Sequence, residues 1–231
     1  MNEVLRQEKK FLITLPQFYT YSADLAQVMT EDPHNRGDGY PIRSLYFDTL
    51  DDRDYQEKED GVELRRKLRL RCYGPDTPFA LLEMKQKQGP LQKKRSLQVS
   101  LADANALSHG DWSVLRNYDT PFAGECYALL QMHGYQPRSV VEYRRKAFIA
   151  KENRIRVTFD HHITATEGCW DLFSPNLLLS STLDPWLVVL EVKYNGFLLS
   201  YIKDLLRRCD EFETSVSKYC LGRSVSKHYT F

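Results

Sequence analysis

Between Val62 and Cys72 the chain alternates so strictly that it reads as one strand with two unlike faces. Glu63, Arg65, Lys67, Arg69 and Arg71 fall on one side, and Val62, Leu64, Arg66, Leu68, Leu70 and Cys72 on the other. Successive side chains of a strand point to opposite faces. The second face is mostly apolar and needs cover, whereas the first is nearly pure positive charge. Like charges two residues apart on a strand stand roughly 6.5–7 Å from each other. At an effective dielectric near 20 that repulsion costs roughly 2.4 kcal/mol per pair. A solvated outer face normally mixes signs to avoid it.

The theme recurs along the chain. Arg6, Glu8 and Lys10 share a face, as do Glu83, Lys85 and Lys87. Lys93 and Arg95 line up in the following strand, and Arg154, Arg156, Thr158 and Asp160 in a later one. Arg145 lies between Tyr143 and Ala147, and Glu191 is spaced to pair with Lys193. The whole chain has 32 Lys and Arg against 31 Asp and Glu, so the near-neutral total hides a segregated distribution. That balance speaks against a generally basic nucleic-acid or membrane binder. For any one strand a solvated face is the ordinary reading; recurrence across the chain favours an enclosed site for a polyanion. Arginine's planar fork suits phosphate oxygens. The few acids among the cations then read as metal ligands or ion-pair partners, and oxygen ligands with phosphates select Mg²⁺ or Mn²⁺.

Strand patterns cover residues 5–13, 42–48, 62–73, 79–87, 92–100, 140–150, 154–163 and 186–195, many joined by turn residues such as Gly74-Pro75, Gly89-Pro90 and Glu152-Asn153. Helical patterns fall at 16–30, 102–117, 121–134, 197–209 and 215–221. The expected class is α+β: an antiparallel sheet or barrel of eight strands, closed or nearly closed, with helices outside, as a single domain over residues 1–231. The five cysteines form no CxxC pair, so reduced thiols are expected rather than a zinc site or a disulfide framework. No apolar run approaches the roughly 20 residues of a membrane span, and residues 1–10 are charged. A cytoplasmic location is the expectation.

Nine segments carry a resemblance: RQEKKFLI (6–13), IRSLYFDT (42–49), GVELRRKLRLRCYG (61–74), LLEMKQKQG (81–89), QKKR (92–95), YRRKAF (143–148), RIRVTFD (154–160), LEVKYNG (190–196) and SVSKYCLG (215–222). In this order they resemble the VTC domain, the catalytic domain of the vacuolar transporter chaperone complex, within the CYTH or triphosphate tunnel metalloenzyme superfamily. The chain looks like the short bacterial form of that domain. The resemblance implies an eight-stranded tunnel that makes polyphosphate from ATP with Mn²⁺ or Mg²⁺ as cofactor. ATP and inorganic polyphosphate would be its partners, with no nucleic acid and with room for a separate membrane protein. It further implies that Lys10, Arg69, Arg71, Lys85, Lys93, Arg95, Arg145 and Arg156 bind phosphate. Glu191 would bind the metal, Glu8 would be a further candidate ligand, and Lys218 would reach the nucleotide phosphates. In the tunnel hydrolases the first strand reads ExExK; here Arg6 replaces the first Glu, which favours the polymerase branch. At Ser215, where the eukaryotic domain has a further lysine, this chain has none.

Two competing readings are a tunnel hydrolase of triphosphates and a non-catalytic polyphosphate-binding module. Arg6 speaks against the first; Glu191 and Lys218 speak against the second. Tyr46 and Asp48 fit either a tunnel lining or the core. Asp51, Asp52 and Asp54 read as a solvated or capping turn, and Gly37-Asp38-Gly39 as a turn without a phosphate-loop motif. His161 and His162, being adjacent, are expected on opposite faces of a strand, and Cys169-Trp170 in a packed loop.

Overall fold

The computed structural model describes residues 6–89, 91–209 and 214–225, apart from the side chain of Arg6. The replacement of the first ExExK glutamate by Arg6, and the Pro90 half of the Gly89-Pro90 turn, therefore lie outside the described residues. The elements in chain order are β1 (Arg6–Thr14), α1 (Leu15–Val28), β2 (Thr30–Glu31), β3 (Tyr40–Asp48), α2 (Arg53–Glu59), β4 (Leu64–Cys72), β5 (Phe79–Gln88) and β6 (Leu91–Ser100). They continue with α3 (Leu101–Ser108), a 3₁₀ turn (Trp112–Asn117), α4 (Pro121–Met132), β7 (Gln136–Ala150), a 3₁₀ turn (Glu152–Arg154), β8 (Ile155–Thr166), β9 (Ser180–Ser181), β10 (Leu187–Asn195), α5 (Ser200–Arg207) and α6 (Lys218–Arg223). No described helix is long and apolar enough to cross a membrane.

The chain divides into two compact units, each assembled from separate stretches of sequence. The first holds the chain up to Pro41, Tyr143–Ile163 and Leu183–Ser217; the second holds Ile42–Glu142, Thr164–Thr182 and the chain from Lys218 on. The hydrogen-bonded strand order is β1-β10-β8-β7 and then β7-β3-β4-β5-β6, with β2 on β7 and β9 on β8. All eight expected strands are present, in an α+β arrangement. The expected barrel is corrected in one respect: among the described residues the sheet is open, ten-stranded by counting the two-residue β2 and β9, with β1 and β6 as its ends.

In the first unit the apolar faces of β1, β8 and β10 bury Phe11, Ile13, Val157, Phe159, Leu190 and Val192 under α1 and α5. Helix α1 begins at Thr14, whose Oγ1 accepts from the Gln17 backbone while Gln17 Oε1 accepts from the Thr14 backbone, a reciprocal capping box. It buries Phe18, Tyr21, Ser22 and Leu25, the i, i+3, i+4, i+7 spacing of one helical face. In the second unit Leu68, Leu70, Leu82, Met84 and Val99 pack against α3, α4 and the Trp112 turn. The expected helix over 102–117 breaks at Gly110, whose φ of 85° suits glycine, and resumes as the 3₁₀ turn. Gly39 lies so close to β7 that a Cβ there would stand 2.3 Å from the Arg145 carbonyl oxygen, which excludes any other residue.

Two expectations are overturned locally. The Asp51–Asp54 turn is not simply solvated: α2 starts there, and Asp54 is buried. Its cap comes from six residues upstream, for Asp48 accepts from the backbone N–H groups of Thr49, Asp54 and Tyr55. His161 and His162 do not point apart, because His162 has φ 50° and breaks the strand alternation. Their Nδ1 atoms are 2.7 Å apart, with His161 packed on Phe18.

Burial, and next the Asp48 charge, push the Asp54 carboxyl up to about 7, while the Tyr135 hydroxyl donates to both of its oxygens at 3.0 Å. An unfolded Asp ionises near 3.8. Folding therefore holds this proton more tightly, and the stability it lends is full below about pH 4 and lost as pH rises through about 7. Asp54→Asn keeps an acceptor for Tyr135 and is expected to flatten that loss. Relative to the parent, the variant should gain about 2 kcal/mol between about pH 5 and pH 8 in urea denaturation. A constant deficit at both pH values would contradict the assignment.

Candidate active site

In antiparallel strands, directly opposed residues share a face, so register decides which charges meet. In the first unit Lys10 stands opposite Glu191 and Glu8 opposite Lys193. Glu191 in turn faces Thr158, and Lys193 faces Arg156. Opposite signs therefore meet between β1 and β10, whereas on β8 Lys193 meets a second cation and Glu191 a neutral hydroxyl. Glu191 lies 2.6 Å from Lys193 Nζ and 3.7 Å from the Arg145 guanidinium. Glu8 lies 3.1 Å from Lys10 Nζ and 3.8 Å from Lys193. Arg145 grips the buried Asp160 with both arms of its fork, at 2.6 and 2.8 Å. Burial pulls the Lys10 ammonium down, but Glu191, Glu8 and Asp160 together outweigh it and hold it above its usual value. Arg145 is raised in the same way by Asp160 against burial. Arg156, on the same face, donates to Asp32 at 2.7 Å and to the Tyr40 hydroxyl at 3.2 Å.

The second unit carries a similar face on β3 to β6. Tyr46 opposes Arg69 and Ser44 opposes Arg71; Arg69 opposes Glu83 and Lys67 opposes Lys85. Arg69 donates to Glu83 at 2.8 Å and to the Tyr46 hydroxyl at 3.2 Å. Arg71 lies 3.7 Å from the same carboxylate and donates to Ser44 Oγ at 3.3 Å. Burial would raise the Glu83 carboxyl, yet Arg69, Arg71 and Lys94 bring it down to about 2. Burial would likewise raise Tyr46, and Arg69, Lys67 and Arg71 hold it below the usual phenol range.

Register corrects one assignment. Lys94, not Lys93 or Arg95, opposes Lys85 and reaches Glu83. Lys93 and Arg95 oppose Gln86 and Met84 on the other side of β6, where Arg95 pairs with Glu125 and covers the Phe122 ring. The physical reason is parity: Lys93 and Arg95 alternate in step with Val99, which is buried in the core beneath β6. Lys218 begins α6, half-buried, next to Tyr219. Lys94, Ser44 and Asp32 were missed by the sequence reading, and Tyr46 proves to lie on the charged face.

This face offers a divalent ion a small set of oxygen donors. Glu8 and Glu191 supply hard oxygen ligands and share Lys10 and Lys193 as neighbours. Thr158 opposes Glu191, and among the described residues its buried hydroxyl oxygen has no hydrogen-bond partner. No group of three or more His, Cys, Asp or Glu suited to a metal occurs among the described residues. The set therefore fits an ion that is held by one or two carboxylates and completed by phosphate oxygens and water, as Mg²⁺ commonly is.

Several comparisons bear on this arrangement. A candidate adenylate cyclase from Bacillus halodurans superposes with a TM-score of 0.56 at 11% identity, covering 100% of both chains. A candidate adenylyl cyclase from Hippeastrum, described as having a dominant triphosphatase activity, gives 0.50 at 13%, covering 94% of this chain and 96% of that one. A chain of the Schizosaccharomyces pombe Mediator head module gives 0.51 at 7%, covering 90% and 96%. At such identities these likenesses speak for the fold alone, and the fold does not choose an activity. No curated protein matches the sequence. The model of the VTC domain matches residues 5–227 of the 231, and the chain belongs to the VTC domain family.

Proposed function

We propose that this protein is an ATP–polyphosphate phosphotransferase. The terminal phosphate of a polyphosphate chain attacks the γ-phosphorus of ATP. A new P–O–P link forms, the bond to the β-phosphate oxygen breaks, and ADP leaves. The observation that carries this reading is the pair of strand faces on which Arg and Lys crowd around single buried carboxylates: Lys10, Arg145 and Lys193 near Glu191, and Arg69, Arg71 and Lys94 around Glu83. Each cation is held in place by an acid rather than left to solvent, the pre-organisation that phosphoryl transfer needs.

In this reading Lys10, Arg69, Arg71, Lys85, Lys94, Arg145 and Arg156 bind and align phosphates. Lys218 meets the nucleotide's phosphates, and Glu191 with Glu8 holds Mn²⁺ or Mg²⁺. Lys93 and Arg95 leave the set, since they lie on the far face of β6. When bound, the ion would neutralise charge on phosphate oxygens. No side-chain nucleophile is required, so the residues act by position and field.

A tunnel triphosphatase is the second reading, favoured by the activity described for the Hippeastrum neighbour; water would replace the polyphosphate end as acceptor. Purified protein with ATP and Mn²⁺, resolved by gel electrophoresis with polyphosphate staining, tests the choice. Long stained product is expected. Free phosphate without polymer would move the assignment to the triphosphatase.

A further inference from the structure

Helix α6 has six residues, too few to be stable alone, so what holds it must come from the fold around it. Tyr219 is fully buried. Its ring lies 5.1 Å from that of Tyr46, at 30°, and meets Tyr55 edge-on at 6.2 Å. Its hydroxyl donates to Asp48, the carboxylate that also caps α2. Burial, and next the Asp48 charge, raise the phenol, so it stays a donor. Three residues on, and so on a neighbouring position of the same helical face, Gly222 touches β7: a Cβ there would stand 2.6 Å from Val141 Cγ2 and 3.0 Å from Ser139 Oγ. Arg223 closes the end by pairing with Glu167 and, at 2.5 Å, with Asp52.

These contacts reach the phosphate-facing residues directly. Tyr46, against which Tyr219 packs, accepts a hydrogen bond from Arg69. The Lys67 ammonium lies 6.0 Å from the Tyr46 ring and 5.4 Å from the Tyr219 ring. We propose that Tyr219 is a positioning residue: stacked on Tyr46 and hydrogen-bonded to Asp48, it fixes α6, and so Lys218, against the strand face that carries Lys67 and Arg69. The inference rests on the reading of Lys218 as a nucleotide-phosphate ligand. It adds that the ligand's placement is set by its buried neighbour.

The test is a double-mutant cycle read by ATP affinity in calorimetry, which needs no turnover. Tyr219→Phe keeps the ring and loses the hydrogen bond; it should weaken ATP binding about tenfold, the scale of one buried hydrogen bond, while affinity for long polyphosphate stays within about twofold. In a Lys218→Ala background the same change should have no further effect. Gly222→Ala, which crowds α6 against Val141 and Ser139 of β7, should mimic Tyr219→Phe. A purely structural tyrosine would lower the melting temperature and leave this selectivity intact. Additive losses, equal losses for ATP and polyphosphate, or an unchanged ATP affinity in Lys218→Ala would each overturn the inference. Protein that binds ATP with the expected cycle but makes no polymer would sink the phosphotransferase reading and leave the role of Tyr219 standing.

Discussion

Glu83→Gln is expected to destabilise the protein by about 3 kcal/mol at neutral pH, the lower end for breaking a buried ion pair. Arg69, Arg71 and Lys94 all lean on this one carboxylate, which is 2% exposed. The lower end applies because Lys94 is half-exposed and keeps much of its hydration. The pH dependence has a definite sign. With its folded value near 2 against an ordinary glutamate's 4.5, Glu83 stabilises the fold above about pH 4.5. That contribution fades as pH falls towards 2, so the difference between parent and variant in urea denaturation should shrink in acid. A polyanion should replace the missing charge, and tripolyphosphate should restore part of the loss. A variant within about 0.5 kcal/mol of the parent would mean that the three cations are compensated elsewhere.

Glu191→Gln should lower the rate of ADP release at least about a hundredfold, the scale of losing one charged group that acts on the transferring phosphate. Binding of long polyphosphate should survive, because Lys10, Arg145 and Lys193 remain and lose a competing carboxylate. Rates and filter-binding affinities measured on the same preparation separate the two effects. Equal loss of both would show that Glu191 serves only to hold its cations in place.

Much of this arrangement is legible in the sequence because β structure writes its faces at period two. The alternation over β4 gives both the charged face and the core face of the second unit, and Lys10, Arg145, Asp160 and Glu191 follow by the same rule. Strand β6 shows where the rule is blind. Lys93, Lys94 and Arg95 are consecutive, so charge alone does not say which of them faces Glu83. The signal that could have decided is Leu97 and Val99, which share the parity of Lys93 and Arg95 and assign Lys94 to the other side. Helix α2 was missed for a different reason. Seven residues carry little periodicity, and its capping carboxylate, Asp48, belongs to the preceding strand. Whether Tyr46 and Asp48 line the site or the core could not be read from alternation, because both roles use the same face: Tyr46 meets Arg69, while Asp48 is consumed by α2 and Tyr219. The contact between His161 and His162 needed the left-handed backbone at His162, which no pattern of side chains announces.

The most direct test of the central claim is a ³¹P NMR time course of the purified protein with ATP and Mg²⁺. Transfer to a growing chain predicts that interior phosphoryl signal accumulates in step with ADP while orthophosphate stays low. Orthophosphate rising one for one with ADP, with no interior signal, would contradict the account and leave a triphosphatase.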